Sequence, residues 1–163
     1  MGKSQHLKIK DLIPELKRIV GDNYVLDDQA DLLVYEYDGS IDRGNPVVVV
    51  LPDTTKEISQ VLKLARSNSI PVVARGAGTG LSGGAIAEQG GIVLSMARMN
   101  QILEVNRSDR YAIVEPGVVN LDLSTHVASE GLYYAPDPSS QRACTIGGNI
   151  AENSGGPHCL AYG

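Results

Sequence analysis

The sequence predicts an α+β protein of two units, a small parallel α/β unit followed by a mixed, largely antiparallel α+β unit. Three observations carry that prediction. Pro46 to Pro52 (PVVVVLP) is a continuous β-branched run bounded by prolines, the pattern of a strand buried on both faces. A capped amphipathic helix and a second apolar run, Pro71 to Ala74, follow within thirty residues, as in a strand–helix–strand crossover with parallel strands. Beyond residue 90 the pattern changes to short strands separated by turn residues, the mark of antiparallel pairing. The expected division is therefore 1–45 for an N-terminal helix and wrapping segment, 46–90 for the first subdomain and 91–163 for the second.

Each element has a local reason. Residues 7–20 place Ile9, Leu12, Ile13, Leu16, Ile19 and Val20 on one helical stripe, with Asp11 as N-cap, Pro14 in the first turn and Gly21 as the stop. Residues 22–45 are polar and irregular. Thr54 and Glu57 form a capping box for a helix running to about Asn68, with Ile58, Val61, Leu62 and Ala65 as its buried stripe. GIVLS (91–95), QILEVN (101–106) and YAIVE (111–115) read as strands, the last two joined by a hairpin turn at 106–110. Pro116-Gly117 ends that run, and Asn120 caps a helix to Glu130 with Leu121, Leu123 (or Ser124) and Val127 inward and Gly131 as its stop.

Composition excludes several classes of function. The hydrophobic fraction is 42%, the charged fraction 20% and the net charge −5, with no basic run, which argues against a nucleic-acid partner. There are seven Tyr but no Phe or Trp, so the core must rest on Val, Ile and Leu. No stretch approaches the length of a membrane span and no signal-peptide core is present, so a cytoplasmic location is expected. Cys144 and Cys159 lack metal-site spacing and read as free thiols; no metal site is expected.

The chemistry concentrates in two loops. The first has glycines at 76, 78, 80, 83 and 84, directly after the strand that ends near Arg75. Glycine loses more backbone entropy on folding than any other residue, so this density implies a chain passing against a ligand with its N–H groups turned to an anion. Thr79 and Ser82 add hydroxyl donors. It is not a Walker A loop, because no Lys occurs after Lys63. A G-x-G-x-x-G is present at Gly78, Gly80 and Gly83, but Gly84, Gly90 and Gly91 leave no room for the helix that a Rossmann fingerprint opens. The loop reads as a diphosphate cradle working through backbone alone, or else as a flexible connection between strands. The second, APDPSSQRACTIGGNIAENSGGP at 135–157, again combines paired glycines with amides at Asn149 and Asn153. It is either a ligand-facing segment or a tight corner shaped by Asn and Gly.

Taken together, ARGAGTGLSGG (74–84), VEPGV (114–118) and PDPSSQRACTIGGNIAENSGG (136–156) resemble the FAD-binding domain of the vanillyl-alcohol oxidase-type flavoproteins. Within these they look most like the branch that holds glycolate oxidase and the FAD-dependent D-lactate dehydrogenases. The resemblance runs from about Pro46 to Gly163. It implies a two-subdomain FAD-binding (PCMH-type) fold, truncated here at the C-terminus. Gly76, Ala77, Gly78, Thr79, Gly80, Leu81 and Ser82 would hold the pyrophosphate. Asp137, Ser140, Thr145, Gly147, Gly148, Asn149, Ala151, Asn153 and Gly155 would lie along the ribityl chain and isoalloxazine. Relatives that tether FAD covalently carry a His where this chain has Thr79, and some add a Cys where it has Ala143, so non-covalent FAD is expected.

The activity implied is oxidation of a small 2-hydroxy acid by hydride transfer to the flavin. An alternative is a flavin module working only within a multi-subunit electron-transfer complex, with further subunits carrying electrons onward. Catalytic residues are expected beyond Gly163, and the chain alone is expected to be inactive or a weak flavin binder. His158 has no evident partner to orient it as a base, His126 reads as a surface or packing residue, and His6 falls in a terminal segment. Cys144 reads as a small buried residue rather than a reactive thiol.

Overall fold

The computed structural model describes residues 9–162, so His6 and the start of the expected first helix lie outside the described residues. Contacts divide the chain into two compact units, 1–98 and 99–163.

The first unit is a four-stranded sheet of β1 (Val25–Leu26), β2 (Val48–Val50), β3 (Val72–Arg75) and β4 (Ile92–Ser95), in the order β1-β2-β4-β3. The β1 edge is antiparallel; β2, β4 and β3 are parallel. Val48, Val49 and Val50 are fully buried, as the unbroken apolar run requires of a strand covered on both faces. Alternation along the strands separates two cores. Val48, Val50, Ile92 and Leu94 pack with Leu16, Val20, Val61 and Ala65 from helices α1 (Ile13–Val20) and α3 (Thr55–Ser67). Val49 and Val93, opposite one another in register, face Ala87, Leu26, Leu32 and Tyr35. Leu32 closes a short helix, α2 (Gln29–Leu32), capped by the Asp28 side chain on the Ala30 N–H.

The expected α+β architecture of two units is present, but several elements differ in detail. The strand at 92–95, assigned from sequence to the second subdomain, lies between β2 and β3 and completes the first sheet. Its side chains are all buried, the same signature as β2. The two strands flanking α3 are parallel, as expected, but are separated by β4 rather than paired. The segment 22–45 is not wholly irregular, since it supplies β1 and α2. Residues 9–11 are helical but a turn at Leu12 precedes α1, so Asp11 is not the cap; Leu12 occupies that position without a side-chain bond. Gly21 is the stop, at φ 93 with its N–H on the Lys17 carbonyl. The Thr54 half of the capping box forms, with the Glu57 N–H on Thr54 Oγ1 at 3.2 Å, but the Glu57 side chain reaches one residue further back, accepting the Asp53 N–H at 2.7 Å instead of that of Thr54. Leu62 is 44% exposed, and Leu64 takes its expected place against the core.

The second unit opens with the expected hairpin, β5 (Ile102–Asn106) antiparallel to β6 (Tyr111–Val114), with a bulge between Ile102 and Glu104. Helix α4 (Asn120–Val127) follows, then a 3-10 turn that stops at Gly131 in the left-handed region. Val119, not Asn120, is its N-cap, because the Asn120 side chain is used elsewhere. The stretch 135–157 contains a two-turn helix, α5 (Ile146–Glu152), and a last short helix, α6 (Cys159–Tyr162), comes after it. Val118, Leu123 and Ile146 form the core of this unit. Among the described residues no helix is long and apolar enough to cross a membrane.

Candidate functional site

The glycine loop leaves the carboxyl end of β3, the end at which open α/β sheets place ligand loops. Among the described residues, none of the backbone N–H groups from Gly76 to Gly84 donates a hydrogen bond. Backbone donors are nearly always paired in folded proteins, so an unpaired run of this length fits an anion with several oxygens. Gly78 has φ 71 and Gly83 φ 72, conformations that favour glycine. Gly80 contributes its carbonyl, which accepts the Gly39 N–H at 2.9 Å. Leu81 is 76% exposed and Ser82 is exposed, while Thr79 is half-buried.

Beneath this loop lies a pair of buried charges that sequence reasoning misses. Arg75, 7% exposed, donates from Nη1 to the Tyr37 carbonyl at 2.8 Å and from Nη2 to the Val34 carbonyl at 3.3 Å. Its guanidinium carbon sits 5.5 Å from the centre of the Tyr35 ring. Burial pulls the guanidinium below its ordinary value, against the opposing pull of Tyr35, Asp38 and Tyr37, and arginine at this basicity stays charged. Asp38, also buried, accepts the Ser40 N–H at 2.8 Å. Burial works against its ionisation, but hydrogen bonds from Ser40 and Ala85 and the charge of Arg75 outweigh that and hold its carboxyl below the ordinary value. No sequence pattern near Arg75 signals these contacts, since its acceptors lie 38 and 41 residues away.

In the second unit many of the expected site residues also hold up the local fold. Thr145 is the N-cap of α5, its Oγ1 accepting the Gly148 N–H at 3.2 Å. A Cβ on Gly147 would stand 2.8 Å from Pro116 Cβ, while its N–H donates to the Pro116 carbonyl at 2.9 Å. Asn153 is the C-cap, left-handed at φ 54. The Ser140 carbonyl accepts the N–H groups of Ala143 and Cys144. Asp137 donates its N–H to the Gly155 carbonyl at 3.3 Å. Gly156, at φ 64, lets the two backbones touch, for a Cβ there would lie 2.5 Å from the Asp137 carbonyl carbon. Asn120, 1% exposed, anchors the entry by donating from Nδ2 to the Pro136 carbonyl at 2.9 Å. Ala151 is exposed on α5.

Two residues carry functional groups beyond scaffold duty. Asn149 is 4% exposed, yet its Nδ2 has no protein acceptor among the described residues, an orphaned donor that fits a polar ligand edge. His158, expected to lack a partner, has one: Nδ1 lies 3.0 Å from Asp137 Oδ1 and 3.1 Å from the Ala135 carbonyl. Cys144 is buried, as expected, and Cys159 is exposed. A separate cavity of about 460 Å³ in this unit, lined by Tyr111, Tyr133, Tyr134 and Tyr162, includes none of the expected site residues.

Comparison with known proteins decides what these loops belong to. Residues 46–163 match the FAD binding domain family. The chain is a member of that family. The FAD-binding domain is 51% identical over 140 residues to the glycolate oxidase subunit GlcD of Escherichia coli K12, covering 85% of this chain and 28% of that protein. It is 36% identical over 157 residues to the D-lactate dehydrogenase of Anaerostipes hadrus, covering 96% of this chain and 31% of that protein. The solved structure of 4-ethylphenol oxidase from Gulosibacter chungangensis superposes with a TM-score of 0.76 at 28% identity, over 91% of this chain and 29% of the oxidase. The chain thus spans less than a third of each of these proteins. The resemblance drawn from the three sequence motifs and the FAD cofactor it implied both hold.

Proposed function

We propose that this FAD-binding domain is the flavin-holding part of an oxidoreductase that oxidises a small 2-hydroxy acid of the glycolate or D-lactate class. The observation that carries the reading is the identity to both a glycolate oxidase subunit and a D-lactate dehydrogenase. Their substrates share one reacting unit, a carbon bearing a hydroxyl next to a carboxylate. When bound, the flavin supplies the ring that accepts hydride from that carbon.

The chain's own part is to hold and orient. The unpaired N–H groups of Gly76, Ala77, Gly78, Thr79, Gly80, Leu81 and Ser82 take the diphosphate oxygens, with the Thr79 and Ser82 hydroxyls as further donors. The segment with Asp137, Ser140, Thr145, Gly147, Gly148, Asn149, Ala151, Asn153 and Gly155 takes the ribityl chain and ring, and the free Asn149 Nδ2 donates to a ring acceptor. Thr79 and Ala143 carry neither the imidazole nor the thiol of a covalent flavin tether, so the flavin is held without a covalent bond. The E. coli relative is named as a subunit, which supports a second reading in which other chains receive the electrons.

The test uses the complete gene product, loaded with FAD and mixed without oxygen with glycolate, with D-lactate and with acetate. Loss of the band near ~450 nm with a hydroxy acid, but not with acetate, is expected. Bleaching by dithionite but by no 2-hydroxy acid would remove the substrate assignment and leave the FAD site standing.

A further inference from the structure

We propose that Arg75 is the positioning residue of the diphosphate loop, a reading that rests on the FAD assignment above. Its guanidinium is fastened from below and forms the floor on which Gly78 sits. A Cβ at Gly78 would meet Arg75 Nη2 and would stand 2.5 Å from Cζ. The same guanidinium is tied to the carbonyls of Val34 and Tyr37 and lies over Tyr35. A fork of rigid N–H donors is what allows one side chain to bond two carbonyls and still present its face to the loop; an ammonium on a flexible stem does not. The neighbouring Gly39 N–H on the Gly80 carbonyl ties the same 34–39 segment to the loop a second time.

An unpaired run of N–H groups with glycine on either side has every entropic reason to collapse or fluctuate. No helix begins behind it, and no Lys follows Lys63, so neither a helix dipole nor a lysine holds an anion there. The fixed element within the first unit is the buried Arg75. It acts through Gly78 without touching the ligand, and it places a buried positive charge behind donors that receive a dianion.

The test compares the wild-type complete gene product with its Arg75→Lys and Gly78→Ala variants. FAD and riboflavin, which shares the ring but lacks the diphosphate, are titrated by flavin fluorescence at two salt concentrations. Arg75→Lys keeps the charge and loses the fork, so the expected result is a Kd for FAD raised about tenfold or more. Riboflavin affinity should stay unchanged, and Gly78→Ala should show the same selectivity. A residue that only stabilises the fold would weaken both ligands together or shift only Tm. Equal loss for FAD and riboflavin, or unchanged FAD binding in Arg75→Lys, overturns the proposal. If the wild-type gene product binds neither ligand, the FAD reading fails separately, and the NMR order parameters of Gly78 and Gly80 then decide. They fall in Arg75→Lys if the guanidinium sets the loop, and unchanged values overturn it. Should Arg75→Lys fold poorly, Arg75→Gln, which keeps a planar N–H donor and loses the charge, gives the same comparison, and equal loss for FAD and riboflavin in it overturns the proposal.

Discussion

Gly147 and Gly148 are adjacent in α5 and chemically identical, yet alanine should act on them with opposite signs. In an ordinary helix interior, Gly→Ala stabilises by about 1 kcal/mol. At Gly147 that gain meets a wall. The new Cβ would stand 2.8 Å from Pro116 Cβ, 2.9 Å from Pro116 O and 3.2 Å from Pro116 Cα, so backbone on one side or the other has to move. Overpacking of this kind costs about 1–3 kcal/mol. The 2.9 Å bond from the Gly147 N–H to the Pro116 carbonyl lies in the same contact and lengthens as the helix shifts, a further loss of about 1 kcal/mol. The net expectation for Gly147→Ala is destabilisation by about 1–3 kcal/mol, or a fall in Tm of roughly 2–12 °C for a chain of this size. At Gly148 the only near atom among the described residues is Thr145 Oγ1 at 3.2 Å, a side-chain atom that needs to yield by only a few tenths of an ångström, so Gly148→Ala should leave Tm unchanged or raise it by a few degrees. Calorimetry on both variants reads the stability, and an FAD titration reads the ligand. If Gly148 is glycine for the ligand's sake, its alanine variant weakens FAD while keeping its stability. Equal Tm losses at both positions would refute the packing argument, and undiminished FAD affinity in Gly148→Ala would refute a ligand role for that residue.

Other consequences are simpler. Thr145→Ala removes the side-chain cap of α5 and should lower stability by about 1 kcal/mol in urea unfolding, with Thr145→Ser retaining most of it. Val49→Ala opens a void in the fully buried centre of β2 opposite Val93, and a loss of about 2 kcal/mol is expected in the same assay. Asp38 has a folded pKa below its ordinary value of 3.8, so its contribution is fully present above that value and is lost as pH falls through the folded one. Asp38→Asn should therefore be less stable than wild type at neutral pH, with the difference shrinking in acid below 3.8; a gap independent of pH would show the carboxylate charge to be irrelevant.

Local signals were legible where they settled the outcome locally. The Val48–Val50 run, the Thr54 cap, the Gly21 stop and the 106–110 hairpin each form where composition and spacing place them. The strand at 92–95 is legible as a strand but not as a member of the first sheet. A glycine loop, not a helix, joins it to β3, and the pattern of a new unit masks the evidence of its own four buried residues. Leu62 loses its core place to Leu64 because the buried face of α3 is set by where α1 lies across it. In α5 the two glycines hide a helix that Thr145 caps, and the reason for one of them, Pro116, is 31 residues away.

The site divides in the same way. The glycine loop announces itself by composition, and its unpaired N–H groups fit a cradle for an anion. The bonds of Arg75 to Val34 and Tyr37, of Asn120 to Pro136, and the approach of His158 to Asp137 join positions that no sequence spacing links. Tertiary contacts select those partners, and only the folded chain brings them together.

The central claim is that the loops of this domain hold FAD without a covalent bond, and the most direct measurement is the absorption spectrum of the purified protein after incubation with FAD and desalting. The expected result is a retained flavin band near ~450 nm that passes wholly into the supernatant on acid precipitation. A chain that stays colourless, both alone and as part of the complete gene product, would contradict the claim, and a band that remains with the precipitate would contradict its non-covalent half.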